Sequence, residues 1–194
     1  IESNNVKAFD KAFFGHVKHT VQLVFRTILL SLTRGHLALT PLVKDTKRYY
    51  QKLSWASASF ALLSDVALVK FGGALKRKGA LTGHYADALS WLYLGTAVLK
   101  RYEDEGRKKE DLPYVQWSMN YALNQIQKAF EKILPELGFP FKGVLSKITK
   151  INGLSDGPST KLNNHIARLE QEPGEQRNRL TENVFIPNNK EEQL

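Results

Sequence analysis

Apolar residues recur at three- and four-residue spacing through most of this chain, and the recurrence predicts four long helices. The first runs from Val6 to Leu32, with Phe9, Phe13, Val17, Val21, Val24 and Ile28 along one stripe. Phe14, Phe25, Leu29 and Leu30 widen that stripe, which predicts packing on two sides. Gln22, Arg26 and Thr27 interrupt its most apolar part, so it falls short of the roughly 18 apolar residues that a membrane span needs. Arg34 and Gly35 end this helix, and Pro41 marks the connection to the next.

The second helix starts near Asp45–Thr46, either of which can cap a first turn, and buries Tyr49, Leu53, Ala56, Phe60, Leu63, Ala67 and Phe71. Its Ala56-Ser57-Ala58-Ser59 stretch is small enough for a neighbouring helix to come close. Gly72-Gly73 offers a left-handed exit, although the helix has the composition to continue to Leu75. A third helix spans roughly Gly83 to Tyr102, with Tyr85, Leu89, Leu92, Thr96 and Leu99 on one face. Pro113 suits the first turn of a fourth, which runs to about Leu134 through Val115, Met119, Ala122, Ile126, Ala129 and Ile133.

Short connections between such helices predict an all-α fold, an antiparallel four-helix bundle with additional short C-terminal helices. No stretch shows the alternation of β-strands. The expected division is a bundle core over 1–134, an amphipathic segment and short helices of the same domain over 135–187, and a polar tail over 188–194. The short helices fall around Ser159–Gln171 and Gly174–Thr181.

Composition narrows the chemistry. With 194 residues, 42% hydrophobic and 24% charged, the chain can bury one substantial core. It has no cysteine, which excludes disulfides, thiolate metal sites and a cysteine nucleophile and fits an intracellular address. A start at Ile1 without a signal-like segment reads as a piece of a longer protein. The formal charge of +9 is uneven: residues 1–80 hold 13 Lys/Arg against 4 Asp/Glu, and the remainder is balanced at 15 of each. A basic half of this kind attracts nucleic acid, an anionic membrane or an acidic partner, or is balanced by an acidic neighbour in a larger protein.

Local motifs for catalysis are weak. His16 and His19 have a spacing compatible with metal but lack acidic company, so they read as surface histidines. Glu103-Asp104-Glu105 sits at a helix C-terminus beside Lys100, Arg101 and Arg107, which reads as a salt-bridged helix end rather than an acid/base pair. The Gly72–Gly79 loop lacks P-loop spacing and follows a helix; its Lys76, Arg77 and Lys78 suit docking on a partner or membrane surface. Asp65, among small apolar residues, is compatible with either a buried hydrogen-bonded role or solvent. No Ser-His-Asp grouping or nucleotide fingerprint is present, so no catalytic, cofactor-binding or metal residue is assigned.

The most pointed segment is Phe139–Ile151. As a helix after Pro140 it would place Phe141, Val144, Leu145, Ile148 and Ile151 on one face, flanked by Lys142, Lys147 and Lys150 with no acidic residue. Together with Phe139, that pattern suits a helix lying in a lipid headgroup region, or else a cap on the bundle core.

Several stretches carry a family likeness. Arg48-Tyr49-Tyr50-Gln51-Lys52-Leu53, Ser59-Phe60-Ala61-Leu62-Leu63-Ser64-Asp65, Gly72-Gly73-Ala74-Leu75-Lys76-Arg77-Lys78 and Asp87-Ala88-Leu89-Ser90-Trp91-Leu92-Tyr93-Leu94 occur in that order. Leu99–Arg107, Asp111-Leu112-Pro113, Gly157-Pro158-Ser159, Glu172-Pro173-Gly174 and Arg179-Leu180-Thr181 continue the series. It resembles the C-terminal domain of the long bacterial acyl-CoA dehydrogenases, which are related to very-long-chain acyl-CoA dehydrogenases. The resemblance implies a parent enzyme that uses FAD in the first oxidation of fatty acid β-oxidation, with flavin and catalytic residues upstream of this region. It further implies a non-catalytic domain, inactive alone, that serves assembly and peripheral membrane attachment. Its expected partners are the catalytic domain of the same parent chain, further copies in a homo-oligomer and an anionic membrane surface, with nucleic acid ranked last. The implied address is the bacterial cytoplasm, peripheral on the inner membrane. The alternative is a purely structural dimerisation or buttressing module without membrane contact.

Overall fold

The computed structural model describes residues 6–41, 44–138, 153–171, 174–182 and 184. Among them are six α-helices: α1 (Val6–Leu32), α2 (Lys47–Phe71), α3 (Gly79–Asp104), α4 (Leu112–Glu136), α5 (Thr160–Gln171) and α6 (Glu175–Thr181). Two 3-10 turns, Gly72–Arg77 and Lys109–Asp111, join α2 to α3 and α3 to α4. The all-α bundle that the periodicity predicts is the fold observed.

The core is shared chiefly by α2, α3 and α4. Every residue predicted on the inner face of α4 is buried, and Pro113 lies in its first turn, where its missing N–H costs nothing. α2 buries Leu53, Ala56, Leu63 and Ala67, while Tyr49, Phe60 and Phe71 pack half-buried against the same cluster. Thr46 occupies the N-cap position of α2, but its side chain makes no capping bond; only its carbonyl accepts from Tyr49 and Tyr50. Over 18 residues the Lys47–Arg77 stretch is long and apolar enough to cross a membrane. Among the described residues it packs on α1, α3 and α4.

α3 departs from the sequence expectation. It starts a turn early, at Gly79, and its buried face is Leu81, Ala88, Leu92, Gly95, Leu99 and Tyr102. Leu89 and Thr96, predicted inside, are exposed. The face is centred on Gly95, which a count of hydrophobic side chains cannot see. A Cβ there would lie 3.3 Å from Leu53 Cδ2, 3.5 Å from Met119 Cε and 3.7 Å from Ala122 Cβ. The missing side chain is what lets three helices meet.

Tyr85 locks α3 to α2 by donating to the Leu63 carbonyl at 2.7 Å, with its ring edge-on to Phe60. Burial pushes its hydroxyl up from 10.0 to about 12. Because the folded value is the higher one, this contribution is complete below pH 10 and is lost as pH rises toward 12. Denaturation midpoints from pH 9 upward should therefore fall in the native protein. In Tyr85→Phe that fall should be shallower, with the remainder attributable in part to Tyr114, also raised to about 12.

The C-terminal segments are fastened to α4 and to the α3–α4 connection. Asn124 donates to the Ser155 carbonyl at 2.9 Å, and Trp117 donates to Asn163 Oδ1 at 2.7 Å. Arg179 of α6 reaches the buried Asp111 carboxylate at 2.5 Å. Asp111→Ala removes the carboxylate and leaves that guanidinium facing a partly buried void. We expect a loss of about 2–3 kcal/mol in urea unfolding, together with early proteolysis of α6.

Candidate interaction surface on the first helix

α1 runs antiparallel to α2 and packs on it through its second half. Thr27 Oγ1 donates to the Ala58 carbonyl at 3.1 Å, and Trp55 Nε1 donates to Ser31 Oγ at 3.0 Å. The helix ends at Arg34 and Gly35, both left-handed at φ 51° and 79°. At Gly35 a Cβ would sit 2.7 Å from the Gln51 carbonyl oxygen, so this turn needs glycine. Gln51 then donates to the His36 carbonyl at 3.0 Å and fixes where α1 crosses.

Apolar side chains are exposed along most of α1. Phe9, Phe13, Phe14, Val17, Val21, Phe25 and Ile28 are exposed, with Phe25 at 69% and Phe9 at 65%. Phe9 stacks on Phe13 at 6.0 Å, and Phe13 meets Phe14 edge-on at 5.5 Å, so these rings have chiefly one another. At about 100° per residue, Phe9 and Phe13 continue the arc of Thr27, Leu30 and Ser31 beyond the part of it that packs on α2, while Phe14, Val17, Val21, Phe25 and Ile28 share an adjoining flank. Packing on two sides was expected; among the described residues only the α2 side is covered. Lys11, Lys18 and Arg26 lie on the polar arc, with Asp10 the sole acidic residue of the helix. Among the described residues nothing covers this stripe, which runs along about 29 Å of helix and marks a surface for something else to cover.

The other sequence-derived candidates distribute as follows. Lys76 and Arg77 are exposed on the 3-10 turn; Lys78 is half-buried, its ammonium 4.6 Å from the Phe71 ring centroid. Lys70 lies over the same ring at 5.1 Å and donates to the Leu137 carbonyl at 2.9 Å, closing the C-terminus of α4. This glycine loop does not fit a flavin pyrophosphate: it follows a helix and closes on itself through Lys78 N–H to the Leu75 carbonyl. The proposed contacts Phe139, Phe141, Lys142, Val144, Leu145, Lys147, Ile148, Lys150 and Ile151 lie outside the described residues. His16 and His19 are exposed, and among the described residues no three metal-capable side chains converge. The acidic run at the end of α3 is consumed in ion pairs: Arg101–Glu105 at 2.7 Å, Arg107–Glu103 at 2.5 Å, and Lys100–Asp104. Asp65 is half-buried on α2.

A second apolar strip, Leu89, Tyr93 and Leu94 on the outer side of α3, had no separate sequence signal because the same periodicity reads equally as core. The pattern shows that a helix has an apolar face; only the packing shows whether that face is covered. No solved structure matches the chain. The family model described as acyl-CoA dehydrogenase, C-terminal, bacterial type matches residues 1–194. With its whole length matched, the chain belongs to the family of C-terminal domains of bacterial-type acyl-CoA dehydrogenases.

Proposed function

We propose that this chain is the non-catalytic C-terminal domain of an FAD-dependent acyl-CoA dehydrogenase of fatty acid β-oxidation, and that it serves the enzyme's assembly by docking through α1. The observation that carries this reading is the Phe-rich stripe of α1, which nothing among the described residues covers. Clustered aromatic side chains, with Asp10 the one acidic residue among them, have the make-up of a protein interface core. The partner proposed is the catalytic part of the same parent chain, within a homo-oligomer. In that enzyme a general base would remove the α-proton while the β-hydride passes to flavin, chemistry for which this chain supplies positioning alone.

The test is to express the catalytic part and this domain as separate chains and ask whether they co-elute. Co-elution abolished by substitutions in the α1 stripe supports docking; independent elution of both native chains contradicts it. Peripheral association with an anionic inner membrane is the second reading, favoured by the exposed Lys76 and Arg77 and by Lys11, Lys18 and Arg26 beside an apolar stripe. It requires salt-sensitive co-sedimentation with anionic vesicles. Equal recovery in the supernatant with and without vesicles would sink it.

A further inference from the structure

Asp10 stands within the apolar stripe of α1, apart from the cations of the helix. At about 100° per residue it shares the azimuth of Ile28 and lies within about 20° of Val17 and Val21. Phe13 and Phe14 follow three and four residues later, so both are its neighbours on the helix surface. Lys11 and Lys18 lie about 80–100° away round the helix. Asp10 is exposed, and among the described residues it takes part in no ion pair.

A lone carboxylate among phenylalanines constrains whatever covers them. While the stripe is open, water solvates the charge. Once a partner covers the rings that water leaves, and a desolvated carboxylate without a counter-charge opposes association strongly. A purely apolar cover is therefore a poor complement to this surface; a good one carries a cation where Asp10 arrives. The hydrocarbon of a bilayer offers none, and anionic headgroups repel the group. A second copy of α1 is disfavoured by charge, because the helix holds four Lys/Arg against the one Asp.

We propose that Asp10 is the specificity determinant of the α1 surface, seated in the docked state against an arginine or lysine of the enzyme's catalytic part. This rests on the docking proposed above and adds the chemistry of the partner. Aromatic rings supply affinity in many orientations, whereas a single ion pair selects one. A slip of one turn, about 5.4 Å, would leave both charges buried without a partner. Because Asp10 lies near the N-terminal end of the stripe, the pair also fixes which way α1 points along the partner surface.

The test uses the intact parent enzyme and reads how far α1 is undocked from the hydroxyl-radical oxidation of Phe14 and Phe25. Each rate is taken relative to that in the isolated chain carrying the same substitution. With a cation opposite, Asp10→Ala leaves that cation buried and unpaired, and the ratio should rise severalfold, to nearly one. With an apolar surface opposite, the same substitution removes a desolvation cost; a ratio that falls or stays unchanged overturns the proposal. Asp10 also lies near the N-terminus of α1, where negative charge supports a helix. Asp10→Ala combined with Lys11→Glu restores a carboxylate to that turn, about 100° away from the original one. This double variant should remain as undocked as Asp10→Ala; recovery of native protection would reduce Asp10 to helix support and overturn the proposal. Both variants should keep the native helical signal, since positions 10 and 11 are exposed. A native enzyme whose ratio is already one refutes the docking itself and the pairing with it, whereas a ratio lowered by Asp10→Ala refutes the pairing alone. Two further outcomes overturn the proposal by naming another occupant. One is stronger sedimentation of Asp10→Ala with phosphatidylglycerol–phosphatidylethanolamine vesicles while the ratio is unchanged, which assigns the stripe to lipid. The other is an isolated chain that elutes as a dimer and is split by Asp10→Ala, which assigns the carboxylate to a second copy.

Discussion

Gly95→Leu should unfold the domain or leave it with a loosened core. At this position α2, α3 and α4 meet, and the first added carbon already comes within 3.3 Å of Leu53 and 3.5 Å of Met119. Leu53 and Met119 are themselves buried among Leu92, Leu99, Leu123 and Ile126, so neither has a direction in which to retreat. Overpacking a dense core commonly costs 1–3 kcal/mol, and a branched side chain at a three-helix junction belongs at or above the top of that range, about 3 kcal/mol or more. The expected result is a large drop in urea midpoint with loss of near-ultraviolet signal from Trp91 and its edge-on partner Tyr121, 5.3 Å away. Gly95→Ala is the control: it adds a contact tight enough to require a small shift, and it gains helix propensity of about 0.8–1.0 kcal/mol. Its net effect should therefore be small beside that of leucine. A Leu variant as stable as the native protein would mean that the helices do not meet as described.

The opposite behaviour is expected on α1. Replacing Phe13, Phe14 and Phe25 together by Glu should leave the melting temperature of the isolated chain within a few degrees of the native value, because all three rings are exposed and Phe13 meets Phe14 edge-on rather than a buried core. Glu is also the better helix former. The same triple substitution should lower affinity for the docking partner by a factor of a hundred or more. Buried aromatic anchors are each commonly worth about 2 kcal/mol or more at an interface, and three carboxylates would now be forced into its core. Titration calorimetry between the separated parts reads the affinity, and calorimetric melting reads the stability. A core role for these rings predicts the reverse, a collapse in stability with no separable effect on association.

How far the sequence foretold this depends on the element. The inner face of α4 was legible, since each of Val115, Met119, Ala122, Ile126, Ala129 and Ile133 is buried where its spacing puts it, with Leu123 and Phe130 buried beside them. The extent of α1 and of the two short C-terminal helices was also readable from periodicity and from Gly and Pro punctuation. α3 was misread on one flank because Gly95 has no side chain for a hydrophobic pattern to register, and the true face turns toward Ala88 and Gly95 and away from Leu89. Thr46 matched a capping residue by type, yet its hydroxyl is buried without a partner. The ion pair between Asp111 and Arg179 joins residues 68 positions apart, beyond the reach of local spacing. An apolar pocket between α1, α2 and α4 exists only once the helices cross.

The surface on α1 occupies an intermediate place. Its apolar width was visible in the sequence, and its lack of cover among the described residues was not. Periodicity treats a face covered by the same domain and one covered by another molecule alike, because the hydrophobic effect is non-directional and indifferent to chain connectivity. The family assignment gives that stripe a setting, the C-terminal domain of a bacterial-type acyl-CoA dehydrogenase, and contact through α1 is the role proposed for it.

Hydroxyl-radical footprinting of the phenylalanines tests that claim most directly, comparing the isolated 194-residue chain with the intact parent enzyme. The account predicts that Phe9, Phe13, Phe14 and Phe25 are oxidised readily in the isolated chain and severalfold more slowly in the intact enzyme, while the buried Phe130 is protected in both. Equal oxidation of the α1 rings in the two samples would contradict it, since nothing in the enzyme would then be covering the stripe.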